Sequence, residues 1–238
     1  MHARGFYGAI LVLCSLALSG CDHSGKPSVA DEALRPDQVM NFSRLYSQNC
    51  AGCHGADGQH GAALALANPE YQAIVDEGRL RDVITNGEPG TLMPAFSQSA
   101  GGMLTDAQVN ALVSGMRSHW YQAGALNGVE VPPYKTDKQG DAAHGQQVFT
   151  SYCASCHTTG VQQQNTKSSS ITDGSYLALI SDQSLRAIII AGRPDIGHPD
   201  WRSALPGHPM SDQDVTDVVA WMASQRQQTP GQPYPSRP

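Results

Sequence analysis

The chain of 238 residues has few aromatic and few charged side chains, at 6% and 15% of the sequence. Its 15 Lys and Arg residues are outnumbered by 21 Asp and Glu residues and form no basic run. Because nothing there would neutralise the phosphates of a nucleic acid, we expect no nucleic-acid partner. Strand patterns are also absent, which favours an all-α fold. With so few aromatic residues, a domain of about a hundred residues has only a modest side-chain core.

The pentapeptide Cys-x-x-Cys-His occurs twice, and this spacing is typical of c-type haem attachment. The two thiols bind the haem vinyl groups, and the adjacent imidazole reaches the iron. A zinc site, a thioredoxin-like pair or disulfides would not explain a His after both pairs. We therefore expect two covalently bound haem c groups. The attachment residues are Cys50, Cys53, Cys153 and Cys156, and the proximal ligands are His54 and His157.

The first twenty residues have the order of a secretory signal. A short basic start precedes an apolar run, residues 6–18, that is too short to span a bilayer comfortably. The next residues, ending in Cys21, resemble a bacterial lipobox, which implies acylation of Cys21 and a membrane anchor made of lipid. The alternative is an ordinary signal peptide in which Cys21 has no role. Asp22 resembles an inner-membrane retention signal, so we expect a periplasmic protein anchored there rather than at the outer membrane.

The chain repeats itself at a constant offset, because residues 71–96 align with residues 176–201 without a gap. The identical pairs are Tyr71/Tyr176, Ala73/Ala178, Leu80/Leu185, Arg81/Arg186, Ile84/Ile189, Gly87/Gly192, Pro89/Pro194 and Pro94/Pro199. Each repeat predicts a helix leading into the haem motif, a short helix over residues 69–86 or 175–191, and a last amphipathic helix. A hydroxyl side chain, Thr105 or Ser211, is placed to cap that last helix.

With these motifs and helices, residues 37–122 and again residues 140–226 resemble class I cytochrome c domains. The resemblance implies an all-helical fold whose first and last helices cross, with the sixth iron ligand in the loop before the last helix. That ligand usually lies in a Met-Pro-x-Phe-like sequence. In the first repeat the sequence Leu92-Met93-Pro94-Ala95-Phe96 makes Met93 the expected ligand opposite His54. A thioether favours ferrous iron, so this haem should have the higher potential.

The second repeat departs from that pattern, because Met93 aligns with His198. We therefore expect a bis-histidine haem with ligands His157 and His198. Met210 is the weaker alternative, since matching the caps of the last helices pairs it with an apolar packing position, and His208 is a minor candidate. Imidazole stabilises ferric iron, so the second haem should have the lower potential and electrons should pass from it to the first.

Three arginines remain open between two interpretations. Arg81 and Arg186 recur in both repeats, and Arg193 lies close to the second sixth-ligand loop. Each of them either pairs with a haem propionate or faces solvent.

These features divide the chain into six parts. They are a signal peptide (1–20), a flexible tether (21–36), a first cytochrome c domain (37–122), a linker (123–139), a second cytochrome c domain (140–226) and a disordered tail (227–238). A polar insertion, residues 162–170, lies within the second domain.

The function that follows is single-electron transfer between redox-protein donors and acceptors. Two six-coordinate irons leave no open position, and no catalytic triad or carboxylate pair stands out, so we expect an electron carrier with no small-molecule substrate. The arrangement resembles two-domain dihaem cytochromes of the c4 type, and a subunit of a quinol-oxidising or oxidase complex is consistent with the lipid anchor. The alternatives are a dihaem peroxidase-like enzyme and a haem-based gas-binding or sensor protein.

Overall fold

Helices make up the regular secondary structure of the residues that the structure describes. The computed structural model describes residues 34–157 and 171–229. The predicted signal peptide, the predicted acylation site Cys21, the first part of the tether, the polar insertion and residues 230–238 of the tail lie outside these ranges. Within them there are two isolated bridges and no strand, which confirms the all-α prediction. None of the helices in these ranges is long and apolar enough to cross a membrane.

The described residues from 39 onward belong to one compact unit that contains both repeats, and residues 34–38, with the 3-10 helix Pro36–Gln38, belong to another. In the longer unit, the first module is residues 39–122 and the second module is residues 140–226. The linker between them binds to the second module. Arg186 Nε donates to the Pro133 carbonyl (2.9 Å), and Gln183 Nε2 donates to the Tyr134 carbonyl (2.7 Å).

Four of the five α-helices of the first module begin where a polar side chain accepts a hydrogen bond from a backbone N–H of the first turn. The capping residues are Asn41, Asn68, Asp76 and Thr105, the last in a capping box with Gln108. The helices are α1 Phe42–Asn49, α2 Ala51–His54, α3 Pro69–Ile74, α4 Glu77–Asn86 and α5 Asp106–Trp120, with a 3-10 helix Gln98–Ala100 before α5.

The described part of the second module has counterparts of α1, α3, α4 and α5, each with its own cap. The capping residues are Asp141, Asp173, Ser181 and Ser211, the last in a capping box with Asp214. The helices are α6 Ala142–Tyr152, α7 Gly174–Leu177, α8 Asp182–Ala191 and α9 Asp212–Ser224, with a 3-10 helix Pro194–Ile196 after α8. Beyond α9, the backbone N–H of Gln227 donates to the Gly174 carbonyl (3.1 Å).

The single short helix predicted in the middle of each repeat is wrong, because each is two helices. In the first module Val75 is extended (φ −89°, ψ 134°), and Asp76 caps a new helix by accepting from the Arg79 N–H (2.7 Å). In the second module Ser181 does the same for the Ser184 N–H (3.1 Å). Short polar side chains such as these accept hydrogen bonds from nearby backbone N–H groups and so favour the start of a new helix at their positions.

The first and last helices of each module pack closely because one of each pair carries a glycine at the contact. A Cβ at Gly115 of α5 would lie 2.1 Å from the Phe42 ring of α1, and a Cβ at Gly145 of α6 would lie 2.0 Å from the Asp217 carbonyl oxygen of α9. Buried apolar side chains from these helices fill the two cores. They are Leu45, Tyr46, Val109, Leu112, Val113 and Met116 in the first, and Val148, Phe149, Val215, Val218, Val219 and Met222 in the second.

A buried carboxylate joins the start of α6 to α9. Asp217 accepts hydrogen bonds from the Asp141 N–H (2.7 Å), His144 Nδ1 (2.7 Å) and Gln213 Nε2 (2.8 Å). The bond to Asp217 raises the pKa of His144 above 6.5, and the charges of Asp214 and Asp141 act in the same direction. Burial opposes ionisation of Asp217, but the bonds it accepts prevail and lower its pKa below 3.8.

We expect His144→Gln to destabilise the protein more at about pH 5.5 than at about pH 9. The raised pKa of His144 makes its contribution complete below 6.5 and lost as the pH rises through the raised value. The lowered pKa of Asp217 makes its contribution present above 3.8 and lost as the pH falls through the lowered value. Urea unfolding of the two haem-loaded proteins measures the difference at each pH. A difference that does not change with pH would mean that the pair is not ionic.

Candidate haem sites

The first Cys-x-x-Cys-His motif follows α1 directly and forms one helical turn. The His54 N–H donates to the Cys50 carbonyl (3.0 Å), so these residues lie on the same face, with Cys53 beside them. Cys50 is buried, Cys53 is exposed, and neither is in a disulfide. Burial, reinforced by Cys53, raises the pKa of the Cys50 thiol to about 12.

The ring of His54 is oriented by the loop that follows the motif. Its Nδ1 lies 2.8 Å from the Leu64 carbonyl oxygen, and because a carbonyl only accepts, Nδ1 carries the hydrogen. That tautomer leaves a lone pair on Nε2, as an iron ligand requires. Burial lowers the pKa of His54, which keeps the ring neutral. Leu64 was not predicted from the sequence, because a carbonyl acceptor carries no residue-type signal.

The loop of Met93 is fixed by its own backbone. The Glu88 N–H donates to the Met93 carbonyl (2.9 Å), and the Met93 N–H donates to Thr91 Oγ1 (3.1 Å). At the end of α4, Gly87 has φ 69° and ψ −167°, and a Cβ there would lie 2.6 Å from the Met93 oxygen. Only glycine fits this approach, so Gly87 sets the position of the half-buried Met93.

The second motif repeats the turn of the first. The His157 N–H donates to the Cys153 carbonyl (2.9 Å), as the His54 N–H does to Cys50. Cys153 is half-buried and Cys156 is exposed, and neither is in a disulfide. Burial, reinforced by Cys156, raises the pKa of the Cys153 thiol to about 11.

The structure brings His157 and His198 together. Their ring centroids lie 5.9 Å apart, with 45° between the ring planes. Two imidazoles that bind one metal ion from opposite sides, each with its nitrogen about 2 Å from the metal, have centroids about 6 Å apart. Burial lowers the pKa of His198, and the neighbouring His157 lowers it further, so the ring keeps the lone pair that a ligand needs. The pair therefore fits a haem iron.

The loop of His198 has the same frame as the loop of Met93. Gly192 ends α8 with φ 67° and ψ −174°, nearly the values of Gly87, and a Cβ there would lie 3.0 Å from the His198 oxygen. Arg193 and His198 exchange two backbone hydrogen bonds, with Arg193 N–H to His198 oxygen at 3.1 Å and His198 N–H to Arg193 oxygen at 3.0 Å. These two hydrogen bonds fix the backbone position of His198.

Met210, the alternative ligand, lies in the core of the second module with 4% of its surface exposed. Its N–H donates to the Trp201 carbonyl (2.9 Å), just as the Leu104 N–H donates to the Phe96 carbonyl (2.7 Å) in the first module. Met210 therefore occupies the core position that Leu104 has in the first module. The minor candidate His208 is exposed.

The three arginines have different surroundings. Arg81 is exposed, and its Nε donates to Asn110 (2.8 Å). The solvent-facing alternative is wrong for Arg186 and Arg193, which are 4% and 6% exposed. Arg186 donates to Pro133 (2.9 Å), to Thr216 (3.0 Å) and to Asp212, so it fixes the linker against α9. Arg193 binds Asp195 and two carbonyls of the first module, and it holds the pKa of Asp195 at about 2.

Two family models match the chain, one in each module. The model described as cytochrome c oxidase, cbb3-type, subunit III matches residues 37–114, and the model described as cytochrome c matches residues 142–226. Each matched range contains one Cys-x-x-Cys-His motif.

Two curated proteins are similar to part of the chain. The chain is 31% identical over 143 residues to the cbb3-type cytochrome c oxidase subunit CcoP of Azospirillum sp. (strain B510), a match that covers 53% of this chain and 43% of the relative. It is 38% identical over 79 residues to the dihydro-heme d1 dehydrogenase of Pseudomonas aeruginosa, which covers 33% of this chain and 14% of the relative. The chain therefore spans less than half of the length of these curated relatives.

A solved structure of the Kuenenia stuttgartiensis reducing HAO-like protein complex superposes with a TM-score of 0.46 at 16% identity, covering 82% of this chain and 100% of that chain. This likeness is too weak to support an inference. The family matches and the two attachment motifs support a firmer conclusion. Each module therefore contains a cytochrome c domain with one attachment motif, and the two domains in tandem imply two covalently bound haem c groups.

Proposed function

We propose that the protein relays electrons through two unlike irons, one ligated by His54 and Met93 and the other by His157 and His198. The observation that carries the proposal is the 5.9 Å separation of the His157 and His198 rings, which suits two axial ligands of one iron. The haem groups, when bound, supply one-electron chemistry. The protein then holds the ligands, sets the two potentials and exposes an edge of each site to partners.

Three of the four proposed ligands have a supporting contact. The Leu64 carbonyl keeps the His54 Nε2 lone pair available, and Gly87 lets the Met93 loop close on the end of α4. The Arg193–His198 backbone bridge does the same for His198. Because these contacts exist before any change of charge on the iron, little rearrangement accompanies electron transfer.

The direction of transfer follows from the ligands. A thioether stabilises ferrous iron, whereas a second imidazole stabilises ferric iron, so the first module has the higher potential. Electrons therefore enter at the second module and leave from the first.

The partners and the location belong to the same proposal. A relative named as a cbb3-type oxidase subunit supports delivery of electrons to, or within, an oxidase complex. Acylation of Cys21 would hold the protein at the periplasmic face of a membrane, with the inner membrane preferred. Incorporation of labelled fatty acid, lost in Cys21→Ser, tests this part separately.

Electron paramagnetic resonance of the oxidised protein, with a redox titration, tests the ligand assignment. We expect two low-spin ferric signals, one of His/Met type and one of bis-histidine type, at separate potentials. His198→Ala should convert the bis-histidine signal, about half of the total iron, to high spin and leave the other signal intact.

Met210→Leu is the matched control, because it removes the alternative ligand and keeps an apolar side chain in the core. It should leave both signals in place. If Met210→Leu rather than His198→Ala opens the iron, the assignment of His198 is wrong. A high-spin signal with peroxide turnover in the unaltered protein would instead favour the peroxidase-like alternative.

A further inference from the structure

A buried ion pair from the second module reaches into the first module beside its haem motif. Arg193 Nε donates to Asp195 Oδ1 (2.9 Å), and its Nη2 donates to Asp195 Oδ2 (2.7 Å). The same guanidinium donates from Nη1 to the Ala63 carbonyl (2.8 Å) and from Nη2 to the Gly61 carbonyl (3.0 Å). The Arg193 and Asp195 side chains are 7% and 2% exposed. A charge buried this far is retained at a cost unless all its partners are in place.

The two carbonyls belong to the segment that orients His54. Gly61 packs on the motif so closely that a Cβ there would lie 2.3 Å from the Cys53 carbonyl oxygen, and the Ala63 N–H donates to that oxygen (2.9 Å). The next residue is Leu64, which accepts the His54 hydrogen bond. Arg193 is thus bonded to the residue adjacent to the one that fixes the His54 ring.

The other end of Arg193 belongs to the sixth-ligand loop of the second module. Its backbone exchanges two hydrogen bonds with His198. One residue therefore joins the loop behind His54 to the loop that carries His198, through bonds of 2.8–3.1 Å.

Neighbouring contacts hold the same two loops together. The His60 N–H donates to Asp195 (2.8 Å). Asn68 Nδ2 donates to the carbonyls of Ala191 (2.8 Å) and Gly192 (3.2 Å), where α8 ends. These bonds make Arg193 the centre of a polar contact between the modules.

We infer that Arg193 is a positioning residue shared by both haem sites, whose cation and hydrogen bonds set the potentials of the two irons together. This inference rests on the proposed ligands His54 and His198. A buried cation acts over several ångströms in a medium of low dielectric constant, and it disfavours the more positive ferric state of each iron. The Asp195 carboxylate opposes the effect of the Arg193 cation, so the two charges together set the potentials of both irons.

The test is a redox titration of the haem-loaded protein in which both haems are followed. In Arg193→Gln the Asp195 carboxylate is left without its cation. We expect the ferric-to-ferrous ratio at a fixed potential to rise about tenfold at both haems, which is 59 mV for a one-electron couple. Arg193→Lys, which keeps the charge, should recover at least half of the shift. Asp195→Asn should shift both haems in the opposite direction.

Arg226→Gln is the matched control. It removes a partly buried guanidinium that donates to the carbonyls of Leu177 and Ile180 within the second module. It should change the ferric-to-ferrous ratio of either haem at a fixed potential by no more than about threefold, since the Arg226 guanidinium makes no contact with either ligand loop. If Arg193→Gln moves only the second haem, or neither, Arg193 is not shared and the inference is overturned.

Asp195→Asn keeps the test decisive if Arg193→Gln does not fold. The paramagnetic resonance signals separate this inference from the proposed function. If the Arg193 and Asp195 variants keep both resonance signals but have shifted potentials, the shared role is supported. If the unaltered protein has no bis-histidine signal, the ligand assignment is refuted, and the effect of Arg193 on the potential of the first haem can still be measured.

Discussion

Replacing Cys50 and Cys53 together by Ser is expected to lower the haem content from two per chain to one. Serine oxygen does not form the thioether, so the first module loses its covalent haem while the second keeps its own. The remaining iron should give the bis-histidine signal and the lower potential. Haem absorbance per mole of polypeptide and the intact mass measure the first effect, and a redox titration measures the second.

The matched variant replaces Cys153 and Cys156 by Ser. It should also retain one haem per chain, but with the His/Met signal and the higher potential. The two variants together assign each signal and each potential to one module. Two haems in either variant would contradict attachment through these thiols. No haem in either would mean that the modules acquire haem only as a pair, through the contacts of Arg193 and Asn68.

The loss of haem should also loosen the affected module. In the first module, for example, aliphatic side chains such as Leu45, Leu112 and Val113 pack with Tyr46 and Tyr71 in a core to which a porphyrin would add apolar surface. We therefore expect a lower helix content by circular dichroism in the module without haem.

Much of this architecture was predictable from the sequence, because the signals are local or periodic. The capping residues Thr105 and Ser211 start the last helices where the hydroxyl pattern predicted, and the internal repeat placed Gly87 and Gly192 in equivalent positions. The structure gives these glycines nearly the same backbone angles. Because the two modules are repeats, equivalent residues are expected to have equivalent geometry, and this prediction needs no information on long-range contacts.

The contacts between the modules were not predictable. Arg193 was expected to meet solvent or a propionate, yet its guanidinium bonds to carbonyls more than a hundred residues away. A backbone carbonyl is present at every residue, so no residue type marks it as an acceptor. The one available signal was Asp195, which lies two residues after Arg193 and pairs with it.

The middle helices show a second limit. Apolar periodicity continues across Asp76 and Ser181, and it predicted one helix where there are two. The cap decides the boundary because its side chain competes with the helical hydrogen bond, and that competition leaves the apolar pattern unchanged. The same reasoning explains why helix type was predicted better than helix ends.

A methyl group at Gly145 is expected to be the most destabilising small change in the second module. The Cβ of Gly145→Ala would lie 2.0 Å from the carbonyl oxygen and 2.5 Å from the carbonyl carbon of Asp217, both backbone atoms of α9. Backbone cannot rotate away, so α6 and α9 must separate. We expect a loss of about 3 kcal/mol in the free energy of unfolding, beyond the gain in helix propensity. The midpoint of thermal unfolding should fall by about 6–12 °C.

Gly115→Ala is the matched variant, because it adds the same methyl group to the equivalent contact of the first module. There the nearest atoms belong to the Phe42 side chain, at 2.1 Å, and a side chain can turn aside. We expect a smaller loss, about 1 kcal/mol. Urea unfolding of the haem-loaded proteins compares the two. Equal losses in the free energy of unfolding would mean that the α9 backbone moves as easily as the Phe42 ring. The expected difference would identify the backbone contact at Gly145 as the tighter of the two helix crossings.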